Sequence, residues 1–273
     1  MTSLEATILG CGSSGGVPRI GGPDGAGIWG ACDPDNPKNR RRRCSLLVRQ
    51  KGADGTTTVL VDTSPDMREQ LIDARVTTLD AVFITHDHAD QLHGIDDLRM
   101  IAMNMRRRVD VYAEEESFQR ILNRFSYCFI QPPGSDYPAI LQAHDIRTPF
   151  REFEIAGAGG ALPVLAFWQE HGQIRSLGFR FGPIAYSSDV NGLDEAAFAA
   201  LEGVECWIVD ALRYAPHPSH AHVGQTLEWI ARVKPKRAIL TNLHVDLDYE
   251  TLRRELPAGV EPAFDGMKIE ISM

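Results

Sequence analysis

Nowhere does the sequence run for about 18 apolar residues without interruption, the length a helix needs to cross a bilayer. No membrane partner is therefore expected. The opening MTSLEATIL has no basic segment leading into an apolar one, so no secretory signal is expected and a cytoplasmic location is. Basic residues are the minority, 28 Lys and Arg against 37 Asp and Glu, for a formal charge of −9. That balance argues against coating long nucleic acid through a phosphate-neutralising surface, but leaves room for a small phosphate ester held by a local basic cluster. Cysteine is scarce, with Cys11, Cys32, Cys44, Cys128 and Cys206 odd in number and irregular in spacing. They form no disulfide framework and fit a reducing compartment. Repeats, heptads, low-complexity tracts and a convincing linker are all missing. What is present is a chain of 273 residues, 43% hydrophobic, long enough to bury a large core. One domain over residues 1–273 is expected.

Apolar runs and turn residues alternate from end to end. Leu4–Leu9, Ser45–Val48 and Thr57–Val61 read as strands, and Ser64-Pro65-Asp66 reads as the capped start of a helix over Met67–Ala74. LDAVFIT (79–85) is a short buried strand, and Ile95, Leu98, Ile101 and Ala102 fall at helical spacing. LPVLAFWQ, LGFRF, PIAYS, CWIVDA and RAILTN read as strands, with VGQTLEWIARV an amphipathic helix between the last two. Strands in groups with helices between the groups predict two sheets covered by helices, an αββα sandwich. The Gly-rich stretch Gly16–Arg43 reads as a surface excursion near the site.

Two motifs suggest chemistry. Gly10-Cys11-Gly12-Ser13-Ser14-Gly15 has the G-x-G-x-x-G spacing of a dinucleotide loop. Such a loop must open directly into a helix, and Val-Pro-Arg-Ile-Gly-Gly-Pro cannot continue one. A turn whose backbone lines a site fits better. THDHADQLHG (85–94) is more specific: His86-x-His88-x-Asp90 follows a buried strand, so both imidazoles project from a tight loop, as chelation requires. Asp90, two positions on, can bind a second cation or take a proton from an activated water.

This stretch resembles the His-x-His-x-Asp-His signature of the metallo-β-lactamase superfamily. LGCGSSGGVP, QEHG, YSSDV, HPSHAHVGQTLEW and KPKRAILTNLHVD fall in that family's order, so the resemblance spans nearly the whole chain. Within the superfamily the chain is most similar to the cyclic-phosphate phosphodiesterases of phosphonate degradation and the tRNA 3′-processing nucleases. The resemblance implies His86, His88 and His171 as ligands of a first metal, Asp189 as the bridge to a second, and Asp90 as a second-site ligand. It also implies that His220 donates a proton to the leaving group, a task suited to imidazole, or holds the phosphate. Family members are often dimers, which makes a homodimer the oligomeric expectation.

The chain departs from the pattern at the second metal. Gln91 stands where a histidine is expected, and Leu240-Thr241-Asn242 replaces a Leu-Thr-His stretch. Carboxylate and amide oxygens suit manganese or magnesium better than zinc. The expectation is one firmly bound metal, zinc or manganese, and a second site of Asp90, Asp189, Gln91 and Asn242 that is weak or altered. His222 or His244 is a candidate substitute ligand. The early cysteines, Cys32 and Cys44, lack the clustering of the auxiliary zinc site found in the phosphonate-pathway enzyme.

For substrate, Arg213 and Arg41, the latter in the run Arg40–Arg43, are candidate phosphate-gripping guanidiniums. Ser14, His222 and His244 complete the candidate substrate-binding set. The function expected is hydrolysis of a small or cyclic, ribose- or nucleotide-like phosphodiester, with Asp90 acting on the water and His220 on the leaving group. Three other readings stay open: a thioester or lactam hydrolase, a tRNA 3′-end nuclease, and a non-catalytic nucleotide-monophosphate binder.

Overall fold

The computed structural model describes residues 2–273. Alternation of side chains along each strand decides which layer it joins. In β1 (Ser3–Gly10), Leu4, Ala6 and Ile8 enter the central core while Leu9 faces outward to a second cluster. β2 (Ser45–Lys51) sends Leu46 and Val48 inward and Leu47 outward, and β3 (Thr56–Val61) splits Val59 and Val61 from Leu60 in the same way. Both faces of these strands are covered where they carry apolar side chains.

After α1 (Met67–Asp73), the sheet continues through β4 (Ala81–Phe83), β5 (Val109–Ala113) and β6 (Leu141–Asp145). The intervening helices are α2 (Ala89–Leu92), α3 (Leu98–Met105) and α4 (Glu115–Phe129). The second sheet holds β7 (Phe153–Ile155), β8 (Leu162–His171), β9 (Ile174–Phe181) and β10 (Ile184–Ser187). It goes on through α5 (Glu195–Ala200), β11 (Cys206–Asp210), α6 (Val223–Val233), β12 (Arg237–Thr241), α7 (Tyr249–Glu255) and β13 (Val260–Pro262). The chain then returns as β14 (Lys268–Ser272) to the edge of the first sheet.

Strand order is β14-β1-β2-β3-β4-β5-β6 in one sheet and β13-β12-β11-β10-β9-β8-β7 in the other. The sheets face each other across one core, and α1, α3 and α4 cover one outer face while α5, α6 and α7 cover the other. This is the expected αββα sandwich. At its centre, Phe83 meets Phe179 at 5.1 Å, Tyr112 at 5.2 Å and Phe181 at 5.9 Å between ring centroids. Removing that ring would cost about 3–5 kcal/mol.

Two local readings need correcting. β4 is only Ala81–Phe83, shorter than LDAVFIT suggests, because the chain turns at Thr85 to present its histidines. Ser64 does not cap α1: its hydroxyl accepts from the Asp66 N–H at 3.1 Å and donates to Gln70, and Asp66 precedes the helix without a side-chain cap. Gly94 closes the histidine loop against the preceding chain. A Cβ there would lie 2.1 Å from the Ser64 carbonyl oxygen, so no larger residue fits.

Candidate metal centre

The carboxyl ends of parallel strands gather at one edge of the sandwich, and the ionisable side chains of the loops meet there. Three residues at this edge, Asp62 after β3, Asp189 after β10 and Asn242 after β12, have left-handed backbones, with φ of 65°, 52° and 63°. Aspartate and asparagine tolerate that region better than other side chains.

Asp62 accepts from Thr85 N–H at 2.8 Å and from the Thr85 hydroxyl at 3.0 Å. With its proton committed to Asp62, the hydroxyl accepts from His86 Nδ1 at 3.0 Å. His86 is fully buried, and its Nε2 is left without a hydrogen-bond partner among the described residues. His171, last residue of β8, meets the Ser219 carbonyl oxygen through Nδ1 at 2.6 Å. A carbonyl only accepts, so Nδ1 carries the proton and Nε2 presents a lone pair. That Nε2 sits 3.3 Å from His88 Nδ1. Burial first, then the neighbouring imidazoles, holds His86 and His88 below the ordinary imidazole range, so the neutral, lone-pair form prevails.

The ligand atoms of His86, His88 and His171 lie within 4.8 Å of one another. The unpartnered, buried Nε2 of His86 therefore converges with His171 Nε2 and the His88 ring on one point, an arrangement that a cation would satisfy. The triad fits a divalent metal of the zinc class. Asp189 stands beside it: its carboxylate is 4.0 Å from His171 Nε2 and 3.9 Å from His220 Nε2.

The second position is built differently. Gln91 Nε2 donates to Asp189 Oδ2 at 3.1 Å and to Asp90 Oδ2 at 3.3 Å. The amide thus places a donor where an imidazole would place a lone pair. Turning it over would set its oxygen against two carboxylates. Asn242 is held likewise: Cys44 Sγ lies 3.5 Å from its Oδ1, and its Nδ2 points to Asp210 Oδ2 at 3.4 Å. Burial, reinforced by Asp189, pushes the Asp90 carboxyl above its usual range.

His220 Nδ1 is paired with the buried Asp210 at 2.7 Å. Burial alone would depress this imidazole, but the Asp210 carboxylate outweighs it and raises the pKa to about 9. Asp210 went unnoticed in the sequence because it lies within CWIVDA, which reads as core strand. His220 also walls a cleft of about 230 Å³ whose lining includes Ser14, Arg19, Arg213, His217 and His244. Neither Arg19 nor Arg213 has a carboxylate within 4.0 Å among the described residues, although most other arginines of this acidic chain do. Arg19 was also missed, lying in a Gly-rich excursion with no periodicity to mark it.

Two candidates are displaced. Arg41 is 2% exposed, and its guanidinium donates to the carbonyls of His244 at 3.1 Å and Leu247 at 2.7 Å, pinning two loops instead of facing the cleft. The rest of the run is structural too: Arg42 pairs with Asp73 and Asp265, Arg43 with Asp66, and Arg40 lies over Trp29. His222 caps α6 by accepting from Gln225 N–H at 3.3 Å. Neither His222 nor His244 joins a metal-ligating cluster among the described residues. His244 instead lines the cleft and pairs with Asp246 at 3.0 Å. No helix is long and apolar enough to cross a membrane among the described residues.

The chain is similar to several known proteins. A curated octanoyltransferase of Porphyromonas gingivalis is 30% identical over 268 residues, covering 97% of this chain and 51% of that protein. The chain thus spans about half the length of the curated relative it matches. A crystal structure described as a new diphosphatase from the PhnP family is 31% identical, covers 99% of this chain and 98% of its own, and superposes with a TM-score of 0.84. Zinc-bound PqqB from Methylobacterium extorquens is similar in fold at 16% identity, covering 97% and 99% of the two chains with a TM-score of 0.73. The family model for the beta-lactamase superfamily domain matches residues 57–242, a span that encloses the triad, Asp90, Gln91, Asp189, Asp210, His220 and Asn242. With that match, the sandwich and the imidazole triad, the chain belongs to the metallo-β-lactamase superfamily of metal-dependent hydrolases.

Proposed function

We propose that the protein is a phosphodiesterase acting on a small or cyclic phosphodiester of ribose or nucleotide character. The position of His220 carries this reading. Its ring lies 3.9 Å from Asp189 beside the triad and also forms a wall of the cleft that holds Arg19 and Arg213. A substrate anchored by guanidiniums in that cleft brings a neighbouring phosphate to the triad.

A divalent ion, zinc or manganese, held by His86, His88, His171 and Asp189 would supply positive charge that acidifies water and polarises a phosphoryl oxygen. The chain's own residues do the rest. Asp90, its basicity raised by burial, accepts the proton of the attacking water. His220, kept protonated by Asp210, donates to the departing oxygen. Arg213 and Arg19 hold the remaining anionic portion of the ester. We infer one firm metal, because Gln91 turns its amide N–H toward Asp90 and Asp189, the carboxylates of the second position, and Asn242 turns its own toward Asp210 instead of offering a lone pair there.

The relative described as a diphosphatase favours a phosphoanhydride as a second candidate substrate, since the likeness runs along nearly the whole chain. Acyl chemistry is less well supported. The octanoyltransferase name belongs to a protein of which only 51% is matched, and among the described residues Leu212 is the one apolar side chain lining the cleft. Hydrolysis of bis(p-nitrophenyl) phosphate, a nucleoside diphosphate ester and p-nitrophenyl octanoate separates the three. Turnover of the octanoate with neither phosphate substrate touched would refute the proposal.

A further inference from the structure

Helix α4 supplies no metal ligand, yet it grips the ligand loop at two places. Between His86 and His88 stands Asp87, only 7% exposed, where an unpaired carboxylate would be costly. Arg120 Nη1 donates to its Oδ1 at 3.2 Å. Arg124 donates through Nη1 to the Asp87 main-chain carbonyl at 2.8 Å and through Nη2 to Oδ2. One guanidinium therefore fixes both the backbone and the side chain of the residue between two ligands. The next helix residue, Phe125, departs from helical geometry with φ −129° and ψ 33°, and its ring meets the His93 imidazole edge-on at 5.6 Å. His93 belongs to the same loop. The helix therefore breaks directly beside the two-point grip.

We propose that α4 is a clamp that preorganises the His86-x-His88 turn for metal, with Arg124 the main positioning residue and Arg120 its support. The inference rests on the reading of His86 and His88 as ligands. Its physical basis is that a loop already ordered in the metal-free protein need not be ordered when the ion arrives. Partners standing behind ligands typically change metal affinity by about 10–100-fold. A clamp also makes a prediction opposite in sign to simple electrostatics. Two guanidiniums near a cation site repel the cation, so on charge alone Arg124→Ala would bind metal more tightly. As a clamp residue, its loss makes binding weaker.

The test is zinc(II) affinity of the full chain near neutral pH, by competition with a chromogenic chelator, for wild type, R124A, R124K and R120A. Melting of each metal-free protein and hydrogen exchange over residues 85–93 accompany it. R124A and R124K are expected to bind about 10–100-fold more weakly, R120A by a smaller factor, with faster exchange confined to the loop. Lysine keeps the charge but cannot bridge carbonyl and carboxylate together, so R124K does not rescue. Should R124A fail to fold, R124K and R120A decide. Zinc bound as tightly as, or more tightly than, wild type by the folded Arg124 variant overturns the clamp alone. Zinc binding absent from wild type overturns the ligand reading, and the clamp with it.

Discussion

The side-chain amide of Gln91 donates to Asp189 Oδ2 at 3.1 Å, occupying the carboxylate edge that a second metal would need. Asn242, the other amide at a position where the family pattern has histidine, turns its Nδ2 to Asp210 Oδ2 at 3.4 Å. Restoring imidazoles should therefore open the second site. The double variant Gln91→His, Asn242→His is expected to rise from about one to about two zinc ions per chain after exhaustive dialysis, since the paired imidazoles complete a nitrogen-rich site. Elemental analysis against protein concentration checks it. An unchanged ratio would mean the amides are not what limits the second site.

The Asp210–His220 pair makes a leaving-group prediction. A p-nitrophenolate departs without a proton, whereas an alkoxide needs one. His220→Ala should lower kcat by about 10²–10⁴-fold on an alkyl phosphodiester and by far less on bis(p-nitrophenyl) phosphate. Asp210→Asn should follow the same pattern more mildly, because it removes the carboxylate that keeps the imidazole charged. Equal losses on both substrates would assign His220 to binding instead.

The two kinds of arginine should separate experimentally. Arg213→Ala is expected to raise KM for phosphodiesters by roughly 10-fold or more, the loss of one charge-assisted contact. Arg41→Ala should instead lower unfolding stability by on the order of 3 kcal/mol, because it strands the buried carbonyls of His244 and Leu247. Denaturant unfolding and steady-state kinetics on both variants test the division. A large KM effect from Arg41 with stability intact would reverse it.

Asp248 ties the α7 N-terminus to the early loop. Burial pushes its carboxyl up, but the Thr251 N–H, the Asn39 amide at 2.7 Å and the Asp33 N–H outweigh this and hold it at about 2. The folded value lies below the unfolded one, so its stabilisation is present above pH about 4 and is lost as pH falls through about 2. Allowing for solvent screening, it contributes roughly 1 kcal/mol. Asp248→Asn should lower stability at pH 6 and flatten the acid limb. A melting-temperature profile against pH that stays parallel to wild type would contradict this.

What the sequence disclosed depended on range. His86 and His88 announced themselves because both ligands lie within three residues after an apolar run, and the alternating strands were plain for the same local reason. His171 and Asp189 were legible only through family resemblance, since nothing near them marks a ligand. Asp210 was hidden inside a run whose every neighbour is buried, and its pairing with His220 spans a turn that periodicity does not describe. Arg41 misled because the fate of a charge run depends on which carbonyls it meets across the fold, here those of residues 244 and 247. Arg19 went unseen because its excursion has no regular period. The grip of α4 on Asp87 was beyond reach, as Arg124 and Asp87 are 37 positions apart with no motif between them.

The most direct test of a one-metal phosphodiesterase is metal content of the purified chain, measured together with hydrolysis of bis(p-nitrophenyl) phosphate before and after chelation and zinc or manganese return. The expected result is about one tightly held ion per chain, activity lost on chelation and restored by one equivalent. Two tightly held ions, or no diesterase activity at any metal loading, would contradict it.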